Sequence, residues 1–100
     1  MTDFSFKKYD DLFEAILKLN SIEECRKFFE DACTIKEMEA ISQRLEVAKL
    51  LGAGKSYQEV SQSTGASTAT ISRVNKCLNY GAGGYALVLE NKDMKDFANE

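Results

Sequence analysis

The 100-residue chain contains no proline, no histidine and only three cysteines. Because histidine is absent and no two cysteines stand in a C-x-x-C spacing, the residue pattern of a zinc site is missing. We therefore expect neither a metal nor a cofactor. An odd number of scattered thiols is typical of proteins from a reducing compartment, so we expect a cytoplasmic protein.

Long apolar runs are also missing. No stretch approaches the roughly 20 residues that a membrane-spanning helix needs, and residues 1–8 lack the basic-then-apolar order of a secretory signal. The chain has no P-loop and no G-x-S-x-G sequence, and its glycine run at 81–84 follows a predicted helix instead of preceding one. We therefore expect a binding protein without a membrane partner, not an enzyme.

The apolar residues that are present recur every three to four positions, which predicts one all-α domain over residues 1–100. The first helix is predicted over Lys7–Leu19. Capping-box patterns, with glutamate three residues after serine or threonine, open the next two helices at Ser21 and Thr34. Gly52 and Gly54 are predicted to end the third helix. The buried faces of the second and third helices are predicted to be Ile22, Cys25, Phe28, Phe29 and Ala32, and Met38, Ile41, Leu45, Ala48 and Leu51.

Residues 56–79 contain the most informative pattern in the chain. Ser56 and Glu59 form a third capping box, Gly65 stands where the chain must reverse, and Ser67 is suited to cap another helix. Two short helices joined by a glycine-containing turn predict a helix-turn-helix. The spacing needed for a small core between these helices is present at Val60, Ile71 and Val74. A final helix is predicted over residues 86–97.

The second helix of this motif begins with small hydroxyl and methyl side chains, which suit the major groove of DNA. Residues 54–85 carry a net charge of +2, whereas residues 1–53 carry −3 and residues 86–100 carry −2. The residues predicted to contact DNA are Tyr57, Gln58, Ser67, Thr68, Ala69, Ser72, Arg73 and Lys76. Two alternatives stay open, a purely structural helical hairpin and a protein-docking module without sequence-specific DNA binding.

Residues 34–78 resemble the bacterial tryptophan repressor family. The matching residues are Thr34, Glu37, Glu39, Ala40, Arg44, Leu50, Leu51, Ser56, Glu59, Gly65, Ala66, Ala69, Thr70, Ile71 and Arg73. The run from Thr70 to Gly81, followed by Gly83, Gly84 and Tyr85, is similar to the YerC/YecD-type branch of that family.

The resemblance implies a subunit of about six helices and an intertwined homodimer, with residues 1–53 supplying the dimerisation helices. It also implies a transcriptional regulator, in this case a repressor, that binds a near-palindromic operator in double-stranded DNA. The alternative for the phenylalanines and leucines of the N-terminal half is an ordinary core within one chain.

Thr34, Arg44 and Arg73 stand where tryptophan-sensing members of the family hold their ligand, so the resemblance implies an effector site there. Val74 stands where those members have glycine, and its β-branched side chain would occupy space that the ligand needs. We therefore expect that tryptophan is not the effector, and the sequence identifies no other small molecule. An alternative role for Arg44 is an exposed ion pair with Glu39 or Glu46.

Overall fold

The computed structural model of the chain describes residues 5–89. These residues fall into two compact units, which divide after Ile35. Over this range the chain forms a 3₁₀ turn at Phe6–Tyr9, six α-helices and no strand, which confirms the predicted all-α class. The helices are α1 (Asp10–Ile16), α2 (Ile22–Ala32), α3 (Ile35–Gly52), α4 (Tyr57–Thr64), α5 (Thr68–Tyr80) and α6 (Gly84–Val88).

The first unit contains two short helices. The helix predicted over Lys7–Leu19 is only partly right, because the chain starts as a 3₁₀ turn and α1 covers only Asp10–Ile16. Ser21 caps α2 by accepting a hydrogen bond from the Glu24 amide at 3.1 Å. The Glu24 carboxylate accepts from the Asn20 amide at 2.7 Å, not from the amide of Ser21, so the reciprocal bond reaches one residue further back than a capping box requires.

Among residues 5–35 no side chain is buried, so the buried face predicted for α2 is wrong for a single chain. Ile22 is 71% exposed. Phe28 and Phe29 are half-buried, and their rings meet edge to face with their centroids 5.1 Å apart. The apolar periodicity of α2 is present, but none of its side chains is fully buried.

The second unit has a continuous core. Its fully buried residues come from α3, α4, the following turn and α5, and they are Val47, Ala48, Leu51, Val60, Ala66, Ile71 and Val74. Four half-buried side chains pack against them, namely Leu50, Leu78, Tyr85 and Leu89. The predicted small core of Val60, Ile71 and Val74 is therefore confirmed as the centre of a larger cluster.

The buried face predicted for α3 is right at Ala48 and Leu51 but wrong at Met38, Ile41 and Leu45, which are 37–48% exposed. Val47 is fully buried although the predicted face did not include it. The core packs against one side of α3, and a second apolar side faces solvent in the single chain. The predicted end of α3 is confirmed: the buried Gly52 is its last residue, and Gly54 in the following turn has a left-handed φ of 90°.

Among the described residues the last helix covers Gly84–Val88, so it begins two positions earlier than predicted, and Leu89 has extended backbone angles that end it. The rest of the predicted range lies outside the described residues. Within residues 5–89 no helix is long and apolar enough to span a bilayer, and no group of three or more acidic or cysteine side chains is placed to hold a metal.

Candidate nucleic-acid interface

The helix-turn-helix begins with a complete capping box. The Glu59 amide donates to the Ser56 hydroxyl at 3.1 Å, and the Ser56 amide donates to the Glu59 carboxylate at 2.9 Å. Hydrogen bonds to the carboxylate from the Ser56 amide and from the Ser56 hydroxyl hold the pKa of Glu59 below its ordinary value, with a smaller contribution from the nearby Lys55 charge. The start of α4 is thus fixed by its own side chains, as the sequence predicted.

The turn between α4 and α5 is fixed by hydrogen bonds that the sequence pattern did not reveal. Gly65 has a φ of 75°, a left-handed conformation that favours glycine. The Ser61 hydroxyl donates to the Ala66 carbonyl at 3.0 Å, and the Thr64 hydroxyl accepts from the Ala66 amide at 3.1 Å. Gln43 of α3 donates its side-chain amide to the Thr64 carbonyl at 3.1 Å. The turn is therefore connected both to α4 and to the long helix behind it.

The start of α5 presents one exposed face. Ser67 caps the helix by accepting from the Thr70 amide at 3.1 Å. The buried Ile71 and Val74 point to the core, so with 3.6 residues per turn the other side of α5 faces solvent. We call this exposed set the α5 surface; it consists of Ser67, Thr68, Ala69, Ser72, Arg73 and Lys76, all of them exposed.

The charged side chains of α5 have one sign. Arg73 and Lys76 lie on α5, which contains no aspartate or glutamate along its length. The other two predicted DNA contacts, Tyr57 and Gln58, are exposed at the start of α4. A basic helix that starts with small side chains and faces solvent can lie in a groove and contact phosphate oxygens.

A cleft of about 260 Å³ lies behind the α5 surface, between α3, α5 and α6. Arg44 and Arg73 line the same cleft, and the described residues around it include no carboxylate: they are Ala40, Gln43, Arg44, Thr70, Arg73, Val74, Cys77 and Tyr85. Thr34, the third predicted effector residue, is exposed at the end of the first unit, directly before α3. Its arrangement with the two arginines stays a prediction.

Sequence reasoning missed two residues of this region. Gln43 makes a bond across 21 positions of sequence, so no local pattern could identify it. Tyr85 forms part of the cleft and packs against the core. The glycines before Tyr85 gave a signal, because a chain reversal there brings the following residue back towards α5.

This fold and this surface define a helix-turn-helix protein. The sequence profile of the Trp repressor protein family matches residues 7–93. Over 84 residues the chain is 52% identical to the uncharacterised protein YerC of Bacillus subtilis (strain 168), an alignment that covers 84% of this chain and 81% of YerC. The chain belongs to the Trp repressor family and is of the YerC type, as the resemblance indicated.

Two solved structures have the same fold. A TrpR-like protein from Eubacterium eligens ATCC 27750 is 51% identical with a TM-score of 0.80, and the match covers 88% of this chain and 91% of that one. A Trp repressor candidate from Staphylococcus aureus is 42% identical with a TM-score of 0.82, covering 92% of this chain and 97% of that one. The family is one of helix-turn-helix DNA-binding regulators, and the fold of this chain is that of its members.

Proposed function

We propose that this protein is a bacterial transcriptional repressor that binds a specific, two-fold-symmetric site in double-stranded DNA. The exposed face of α5 carries this proposal. Its side chains are small, polar or basic, and its position is held by the Ser67 cap and the hydrogen-bonded turn. Such an element recognises DNA by its shape and charge and catalyses no reaction, so we assign the protein a binding role.

Thr68, Ala69 and Ser72 are the residues we assign to base edges. Hydroxyl groups donate to or accept from bases, and the alanine methyl suits the methyl group of thymine. Arg73 and Lys76 are assigned to phosphate oxygens, which fix the helix in its register on the duplex. Tyr57, Gln58 and Ser67 are assigned to the backbone on either side.

The proposed assembly is a homodimer. The exposed apolar side of α3 supports it, because Met38, Ile41 and Leu45 leave a large hydrophobic stripe in water in the single chain. The first unit adds further apolar side chains without burying any of its own. A second copy that covers these surfaces would supply the missing burial and place two α5 helices about one DNA turn apart.

The proposed repressor does not use tryptophan as its effector. Val74 lines the cleft with Arg44 and Arg73, and its side chain takes up space at the apolar wall. Saturating tryptophan should therefore change neither the melting temperature nor the DNA affinity of the full chain. A tryptophan-dependent rise in either quantity would overturn this part of the proposal.

Selection from a pool of random duplexes tests the proposed DNA binding. The full chain should enrich one sequence with two-fold symmetry. A matched selection with the Ser72→Ala and Thr68→Ala double variant should lose or change that sequence, because these hydroxyls are assigned to the bases. If the wild-type chain enriches no sequence, the proposal fails and protein docking becomes the better function for this motif.

A further inference from the structure

The turn between α5 and α6 contains two positions whose geometry favours glycine over every other residue. A Cβ at Gly81 would lie 2.5 Å from the Cys77 carbonyl oxygen, which is closer than any real contact. Gly83 has a φ of 87°, a left-handed conformation in which other residues are strained. The close approach at Gly81 and the reversal at Gly83 turn the chain back sharply after Tyr80.

This reversal delivers one aromatic side chain to the cleft. Tyr85, at the start of α6, lines the cleft with Arg44, Arg73 and Val74, and it packs against the core of the second unit. Its neighbours on the same short helix behave differently, since Leu87 is 85% exposed and Val88 is 71% exposed. The helix is therefore anchored through Tyr85 and Leu89, which both pack against the core.

The position of Tyr85 matters because the cleft separates two helices with different tasks. Ala40, Gln43 and Arg44 belong to α3, which also holds the turn of the helix-turn-helix through Gln43. Thr70, Arg73 and Val74 belong to α5, and Arg73 is also part of the α5 surface. Tyr85 lines this cleft beside residues of both helices, and a side chain packed at that position limits how far α5 can move against α3.

We propose that Tyr85, as the tethered aromatic wall of this cleft, fixes α5 against α3 without any external effector. The inference rests on the proposed DNA binding for its functional consequence, namely that the protein binds its site constitutively. The structural part of the inference depends only on Tyr85, the glycine turn and the cleft.

Removal of the ring and its replacement by a small molecule test this inference. The full chain is compared with Tyr85→Ala, Tyr85→Phe and, as the matched control, Leu87→Ala on the exposed side of the same helix. The probe is p-cresol, which has the shape of the tyrosine side chain. Melting temperature is measured at one fixed protein concentration, and DNA affinity is measured on the duplex selected by the wild-type chain.

Tyr85→Ala should lower the melting temperature by roughly 5–10 °C, because a half-buried ring is lost from a small domain. Tyr85→Phe and Leu87→Ala should stay within about 2 °C of the wild type. Millimolar p-cresol should raise the melting temperature of Tyr85→Ala by several degrees and leave the wild type and Leu87→Ala unchanged. DNA affinity should fall by roughly ten-fold in Tyr85→Ala and recover with p-cresol, an effect of about 1.4 kcal/mol.

Equal behaviour of Tyr85→Ala and Leu87→Ala would overturn the inference. So would a wild-type chain that p-cresol, tyrosine or tryptophan stabilises, because an external ligand would then occupy the cleft beside Tyr85. This arm needs no variant and holds even if Tyr85→Ala does not fold. If no chain binds any duplex, the proposed DNA function fails, and the melting temperatures still decide the role of Tyr85.

Discussion

The two units of this protein bury their apolar residues very differently. The second unit, from Lys36 onwards, closes a core in which Val47, Val60 and Ile71 are fully buried. The first unit, through Ile35, holds five of the six phenylalanines and three of the nine leucines, yet its described residues contain no buried side chain. Both sets have helical periodicity. The difference shows that an amphipathic pattern fixes which residues share a face, but not which surface covers that face.

From this contrast we infer a different role for each unit. The self-contained unit holds α4 and α5 in place and presents the α5 surface. The unit without a core, together with the exposed side of α3, is the part that we propose to join two copies. The following experiments test these two roles, beginning with the one that should have the largest effect.

A charge on the exposed side of α3 should break the dimer. Leu45→Glu would place a carboxylate in the proposed interface, where an unpaired charge is very costly, and the dissociation constant should rise by roughly 100-fold or more. Ala53→Glu adds the same charge just beyond α3 and should leave the dimer intact. Mass in light scattering is the measurement. A Leu45→Glu chain that is still dimeric, or a wild-type chain that is monomeric at micromolar concentration, would contradict the assigned interface.

The same substitution at a buried and at an exposed position tests the core of the second unit. Val60→Ala removes methyl groups from a fully buried position and should lower the free energy of unfolding by about 2 kcal/mol. Val88→Ala makes the same change at a position that is 71% exposed and should cost less than about 0.5 kcal/mol. Urea denaturation measures both values. Equal costs would mean that the second unit does not carry the stability assigned to it.

One arginine from each unit separates DNA binding from general charge. Arg73→Ala should weaken binding to the selected duplex by roughly ten-fold. It should also reduce the steepness of the plot of log K against log salt concentration by about one, because one phosphate contact is lost. Arg26→Ala removes the same charge from α2 and should change neither quantity. Titrations between 50 and 200 mM salt, a range over which such contacts weaken strongly, provide the measurement. If Arg26→Ala weakens binding as much as Arg73→Ala does, DNA contacts are not confined to the second unit.

The smallest effect belongs to the capping box of α4. Ser56→Ala should cost about 1 kcal/mol, whereas Ser63→Ala on the same helix should cost little. The pKa of Glu59 is lowered in the folded state, so its stabilising contribution is present above the unfolded pKa and is lost as the pH falls through the folded value. Melting curves from pH 6 to pH 3 should therefore show a weaker acid dependence in Ser56→Ala. Because the variant keeps the backbone amide of residue 56, an unchanged dependence would mean that the Ser56 hydroxyl does not contribute to holding the charge of Glu59.

The helix-turn-helix could be predicted from sequence because it is built from local interactions. Ser56 and Glu59 stand three residues apart, Gly65 is the residue that a left-handed turn favours, and Ser67 caps α5. The exposed α5 surface also follows from sequence, since the spacing of Ile71 and Val74 determines which side faces the core. The identity of the contacting DNA bases does not follow, because it depends on a partner.

Interactions across long stretches of sequence could not be predicted. The bond from Gln43 to Thr64 spans 21 positions, and the place of Tyr85 in the cleft depends on the exact turn at Gly81 and Gly83. The burial predicted for Met38 was wrong in the single chain for a related reason. Apolar periodicity does not distinguish a core within one chain from an interface between two.

The mass of the protein–DNA complex tests the central claim most directly, because it requires both units to perform their assigned tasks. The full chain is mixed with the duplex selected from the random pool, and light scattering gives the number of 11.2-kDa chains bound. We expect two chains on each duplex and a dimer in the free protein. One chain per duplex, or no complex at all, would contradict the account of two α5 helices presented together to DNA.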